Sequence, residues 1–186
     1  DLTSILLFDS VELFLRKQSR KPRTKRGHFN GPKPLYLHKH VMDTIDRFVT
    51  IAFNKPFKIT GDISLTFVPV GHLLGAAAAV LTINDQGTEK KIAFTGDIGR
   101  QNYPVLVNPE SLPPVDYLVS EATYGGRYHS KNETLEERLV KEITEACIKT
   151  PGRLIIPAFS IGRTQSLVFA LNQIFTKKLL PPIQIF

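Results

Sequence analysis

The sequence predicts an α/β protein, and three observations carry the prediction. Apolar residues recur at helical spacing near the start and again after residue 133; between those regions the period switches to two; and glycine- or proline-containing turns separate the segments.

Residues 4 to 18 read as the end of a helix, and in "HVMDTIDRFV" Val41, Ile45, Phe48 and Val49 share a helical face. After the "TGD" turn, Ile63, Leu65 and Phe67 alternate with Ser64 and Thr66, which predicts a strand with one buried face. Two further strands, "AAAAVLTI" and "KKIAFTGD", flank the turn "NDQG", and the proline-rich "NPESLPPV" leads into another strand at "DYLVSEATYG". Longer helices follow. In "TLEERLVKEITEACIK", Thr134 and Glu137 have the spacing of a capping box, with Leu135, Leu139, Ile143 and Ala146 on one face. "GRLIIPAF" reads as a buried strand, and "GRTQSLVFALNQIF" as a helix with Leu167, Leu171 and Ile174 in register. This change of character sets a domain boundary near residue 130, giving domains 1–130 and 131–186. The sequence ends inside the apolar run "PPIQIF", as a piece of a longer chain would.

Composition bounds the function. The 186 residues are 42% hydrophobic and 22% charged, ordinary for a globular chain. No run is long and apolar enough for a membrane span, and the start "DLTSILLFDSVELF" has no secretion-signal pattern, so the expectation is a cytoplasmic protein with no membrane partner. The single cysteine, Cys147, excludes an internal disulfide framework and lies on the apolar side of a helical pattern, as a structural thiol does. The net charge of +7 is local: Arg16 to Arg26, "RKQSRKPRTKR", holds seven basic residues and no acidic one, leaving 17 basic against 17 acidic elsewhere. Such a run can neutralise a polyanion's phosphates, or be a solvated loop; it has no aromatic residues on which bases could stack.

The polar residues at the predicted strand ends are the candidate site. His72 follows "FVPV" between Gly71 and Gly75, Asp97 follows "IAFT" between Gly96 and Gly99, and Glu121 follows "DYLVS". An imidazole and a carboxylate suit zinc, and loops at strand ends are where a rigid sheet carries a site. A His–Asp hydrogen bond, or an acidic cap on a glycine turn, has the same spacing. Arg163 opens a helix after "PAFSIG", where a guanidinium and a helix N-terminus both suit an anion; a salt bridge is its alternative.

The segments "GHLLGAA", "FTGDIGRQ", "SEATYGGRYH" and "GRLIIPAFSIGRTQSLVFAL" resemble, in order and near spacing, motifs of the beta-CASP branch of the metallo-beta-lactamase fold, over residues from about 35 to the end. "SEATYGGRYH" is most similar to the signature of the RNA-processing members, and residues 1–10 look like the helix after the family's first metal motif. The resemblance implies a partial metallo-beta-lactamase αββα sandwich with the start of an inserted beta-CASP α/β domain. It implies a zinc-dependent ribonuclease whose two zinc ions hydrolyse RNA phosphodiesters. His72 would ligate one zinc, Asp97 bridge both, Glu121 orient a histidine general acid, and Arg163 meet a phosphate.

Departures accompany the matches. The H-x-H-x-D-H motif is absent: "LHKHVMD" has its histidine spacing in His38 and His40, but Met42 and Asp43 stand where Asp and His are required, on a helical pattern that makes them surface histidines. Ala122 replaces the usual serine after the glutamate, His28 and His129 match no ligand position, and the later histidine motifs are missing. With only two ligands, the fragment alone is expected to bind metal poorly and to cleave nothing. A non-catalytic scaffold relative and a small-molecule hydrolase of the same fold are the alternatives. A homo-oligomer is compatible with the sequence.

Overall fold

The computed structural model describes residues 2–19, 34–127 and 134–186. The expected boundary near 130, most of the basic run, His28 and His129 lie outside them. Two compact units form, Asp1–Ala52 and Phe53–Phe186. Among the described residues no helix is long and apolar enough to cross a membrane.

The first unit contains helices α1 (Leu2–Ser19) and α2 (His38–Ile45), with Val11 and Val41 fully buried. The Tyr36 hydroxyl donates to Ser10 Oγ at 2.7 Å, and His38 stacks on Phe8 while its Nε2 lies 3.0 Å from Glu12. His40 Nδ1 accepts the Leu37 N–H at 3.1 Å. These partners make His38 and His40 structural surface histidines of α2, as the helical pattern predicts. The helix stops at Ile45, so the face predicted to continue through Phe48 and Val49 is broken and both are exposed.

The second unit is built on one five-stranded sheet in sequential order: β1 (Phe57–Lys58), β2 (Ile63–Pro69), β3 (Ala77–Asp85), β4 (Thr88–Phe94) and β5 (Tyr117–Val119). Neighbours are antiparallel except β4 and β5, which run parallel. That makes the sheet mixed, in keeping with the predicted α/β fold class. A two-residue loop joins β3 to β4, with Gln86 and Gly87 both at positive φ and the Gly87 N–H held by Asn84 Oδ1; both features match the predicted "NDQG" turn.

The buried face differs from the one the alternation suggests. Val68 and Val70 join Ala78, Val80 and Ala93 in the core, while Ile63, Leu65 and Phe67, on the other face, are half-buried. Alternation identifies two faces but not which one meets the larger surface. Here Ala76, Leu112 and Val115 pack over the valine face.

The second cluster lies in the helices. Helix α3 (Leu135–Ile143) begins at the predicted capping box: Glu137 N–H donates to Thr134 Oγ1 at 3.2 Å and Thr134 N–H to Glu137 Oε2 at 2.8 Å. It continues as a π-helical turn, Thr144–Lys149, and Cys147 packs half-buried against the core. Helix α4 (Arg163–Thr176) buries Ala170 and Ile174 against Leu139 and Ile143, and its buried Ser166 hydroxyl donates to the Gly162 carbonyl at 3.1 Å. "GRLIIPAF" is not a strand. Its Ile155 is 86% exposed and only Leu154 reaches the helical core, because no described strand offers it the backbone partner a strand needs.

Candidate metal centre

Three turns leave the same end of the sheet. His72 lies three residues past β2, Asp97 three past β4 and Glu121 two past β5. The antiparallel β2–β3–β4 run and the parallel β4–β5 pair make β2, β4 and β5 point the same way, so their C-terminal turns gather at one edge.

His72 Nε2 is 3.8 Å from Asp97 Oδ2, and the two side chains are 43% and 67% exposed. That separation is too long for a hydrogen bond. Two ligands about 2.1 Å from a shared tetrahedral zinc would lie roughly 3.4 Å apart, so an imidazole nitrogen and a carboxylate oxygen at this distance fit one ion with a small adjustment. Among the described residues no group of three such ligands gathers around them.

The glutamate faces a different set of donors. Its Oε1 accepts the Ile98 N–H at 2.6 Å, and its own N–H donates to Thr95 Oγ1 at 3.3 Å. The Thr123 hydroxyl and the Ile98 N–H, with His72 contributing least, hold the Glu121 carboxyl below the usual carboxylate range. Glu121 is thus an anion tied to both its own turn and the one that carries Asp97.

Close backbone contact sets the remaining geometry. Gly99 N–H donates to the Val70 carbonyl at 2.7 Å. A Cβ at Gly99 would overlap the Gly71 carbonyl and lie 2.6 Å from the His72 nitrogen, so only glycine lets the Asp97 turn rest on the His72 turn. Arg163 is exposed and forms no ion pair among the described residues. The preceding Gly162 packs on the histidine's neighbour, since a Cβ there would be 2.7 Å from Leu73 Cδ2. Gly162 N–H is capped by Gln165 Oε1 at 2.7 Å, and Gln165 Nε2 donates back to the Ser160 carbonyl at 3.0 Å, which fixes the start of α4.

The structure therefore gathers His72 with Asp97, ties Glu121 to the Asp97 turn, and sets the residue before Arg163 against Leu73. Sequence reasoning missed Thr95, which is 3% exposed, and Thr123. "FTGD" and "EATYG" show a threonine beside each acid, but nothing in that spacing says which hydroxyl turns inward.

No family model matches the chain. Among curated proteins it is 34% identical over 178 residues to the transcription termination factor FttA of Thermococcus kodakarensis, covering 93% of this chain and 25% of that protein. It is 32% identical over 140 residues to the RNase J-like protein of Methanocaldococcus jannaschii, covering 74% of this chain and 32% of that one. Against cleavage and polyadenylation specificity factor 73 of Drosophila melanogaster it is 31% identical over 155 residues, covering 82% and 22%. The chain thus spans between 22% and 32% of the length of these relatives. Over the residues that align, the chain is similar to these RNA-processing and termination factors, and its four motifs in order resemble those of the beta-CASP branch of the metallo-beta-lactamase fold.

Proposed function

We propose that the protein carrying these residues is a zinc-dependent ribonuclease, with residues from about 131 opening the inserted beta-CASP domain. The family resemblance implies a metal cofactor, and names such as RNase J-like protein and cleavage and polyadenylation specificity factor support RNA as the substrate. The observation that carries the reading is the 3.8 Å approach of His72 Nε2 to Asp97 Oδ2 at the exposed end of the sheet.

His72 and Asp97 would hold metal there. When bound, two zinc ions would polarise a phosphodiester and lower the pKa of a coordinated water. The other residues act on geometry and charge. Glu121, kept ionised by the Thr123 hydroxyl and the Ile98 N–H, is fixed to accept a hydrogen bond from, and so orient, a histidine general acid. Arg163 offers a planar cation with no ionic partner among the described residues, at the head of α4, suited to an RNA phosphate. A cytoplasmic location belongs to the same proposal.

The test uses the full-length protein with RNA and added zinc. Asp97→Asn removes one anionic oxygen at nearly constant shape and is expected to lower cleavage at least about a hundredfold while leaving the fold intact. Unchanged cleavage by that variant would overturn the reading. RNA binding with no cleavage by the zinc-loaded wild type would replace it with a non-catalytic scaffold.

A further inference from the structure

We infer that Glu121 is a positioning residue for the metal-ligand turns, acting through its hydrogen bond to the Ile98 N–H, and that the buried Thr95 hydroxyl sets Glu121 for that task. The inference rests on the metal reading of His72 and Asp97 and assigns a carboxylate–amide clasp beside it.

Three linked bonds make the clasp. Thr95 Oγ1 donates to the Gly96 carbonyl at 2.8 Å and accepts the Glu121 N–H at 3.3 Å, joining the end of β4 to the end of β5. The Glu121 carboxylate returns across that junction to the Ile98 N–H at 2.6 Å, immediately after Asp97. The next residue, Gly99, donates to the Val70 carbonyl at 2.7 Å, two residues before His72. The turns bearing the aspartate and the histidine are therefore joined to the glutamate's strand by one continuous set of bonds.

The remaining capacity of these groups supports the assignment. Thr95 is 3% exposed, so its hydroxyl is removed from water and both its bonds are internal. A charged acceptor makes a shorter and stronger bond than a neutral one, and the Ile98 contact is among the shortest hydrogen bonds in the described structure. Outer partners of this kind orient the groups that touch a metal, and losing one characteristically lowers metal affinity about 10- to 100-fold.

The experiment compares Glu121→Ala, Glu121→Gln and Thr95→Val in the full-length protein. Zinc affinity is measured with the metal alone, and Ile98 amide exchange without metal. Glu121→Ala and Thr95→Val are expected to weaken zinc binding about tenfold or more and to speed Ile98 exchange by about the same factor. Glu121→Gln keeps a neutral oxygen for the Ile98 N–H, so it should recover part of both losses. Gln as damaging as Ala would mean that charge, not hydrogen-bond position, is what matters, and would overturn the inference. So would a Thr95→Val protein indistinguishable from wild type, a variant that nearly preserves side-chain volume and so remains informative where Glu121→Ala fails to fold. Neither readout involves RNA, so the ribonuclease proposal can fail while this one stands.

Discussion

Around the sheet the buried residues are small, Val68, Val70, Ala78, Val80 and Ala93, whereas around α3 and α4 they are mostly large, Leu139, Ile143, Ile174 and Leu180 with Ala170. Small side chains let backbones approach closely. The sheet end is accordingly joined by main-chain and short polar bonds, such as Gly99 N–H to Val70 and Ile98 N–H to Glu121. The helices meet through side-chain volume, helped at the surface by Lys177 and Glu136 at 2.8 Å. The candidate site is thus set by backbone proximity, which tolerates little added bulk, and the helical pair by burial, which tolerates little removed bulk.

The strongest way to break that contrast is Gly99→Ala. The new methyl would overlap the Gly71 carbonyl, so we expect a loss of roughly 4 kcal/mol in denaturant unfolding, with the His72 and Asp97 turns forced apart. A stable Gly99→Ala protein with wild-type zinc affinity would show that the sheet end yields more easily than its contacts imply.

Next is Ile174→Ala. Ile174 is 0% exposed, and the cavity should cost about 3 kcal/mol. In the same variant Ile98 amide exchange should stay near wild type if the two regions are held independently; parallel loosening would make them one cooperative structure.

Thr134→Ala removes the hydroxyl that caps α3 and should cost about 1 kcal/mol, read in the same unfolding assay. The smallest effect is acid release of the same cap. The Thr134 backbone N–H, and then its hydroxyl, hold the Glu137 carboxyl below its usual range. A carboxyl with a depressed folded-state pKa contributes stability above its unfolded value and loses it as pH falls through the folded one. Thr134 amide exchange should therefore rise at pH below the ordinary carboxylate range. A Glu137→Gln protein should lose that acid dependence; if it keeps it, another group is titrating.

Much of this was legible in the residues. The capping box at Thr134, the "NDQG" turn, the strand period and the helix at α4 all depend on neighbours a few positions away, and each formed near where the pattern places it, although α4 buries Ser166, Ala170 and Ile174 while Leu167 and Leu171 stay half-buried. The readings that shifted depended on distant partners. "GRLIIPAF" has a strand's composition and no described strand beside it, and Ile63, Leu65 and Phe67 have an inward pattern while Val68 and Val70 hold the core.

The sequence by itself determined the family motifs, most of the local helices and strands, and the candidates His72, Asp97, Glu121 and Arg163, because turn chemistry and side-chain type are written residue by residue. Only the tertiary structure decided that His72 and Asp97 approach to 3.8 Å, that Glu121 reaches across to Ile98, and that Thr95 turns inward. Those distances come from the pairing of β4 with β5 and from the contact of Gly99 with Gly71, and such long-range approaches are set by packing, which no short stretch of residues encodes.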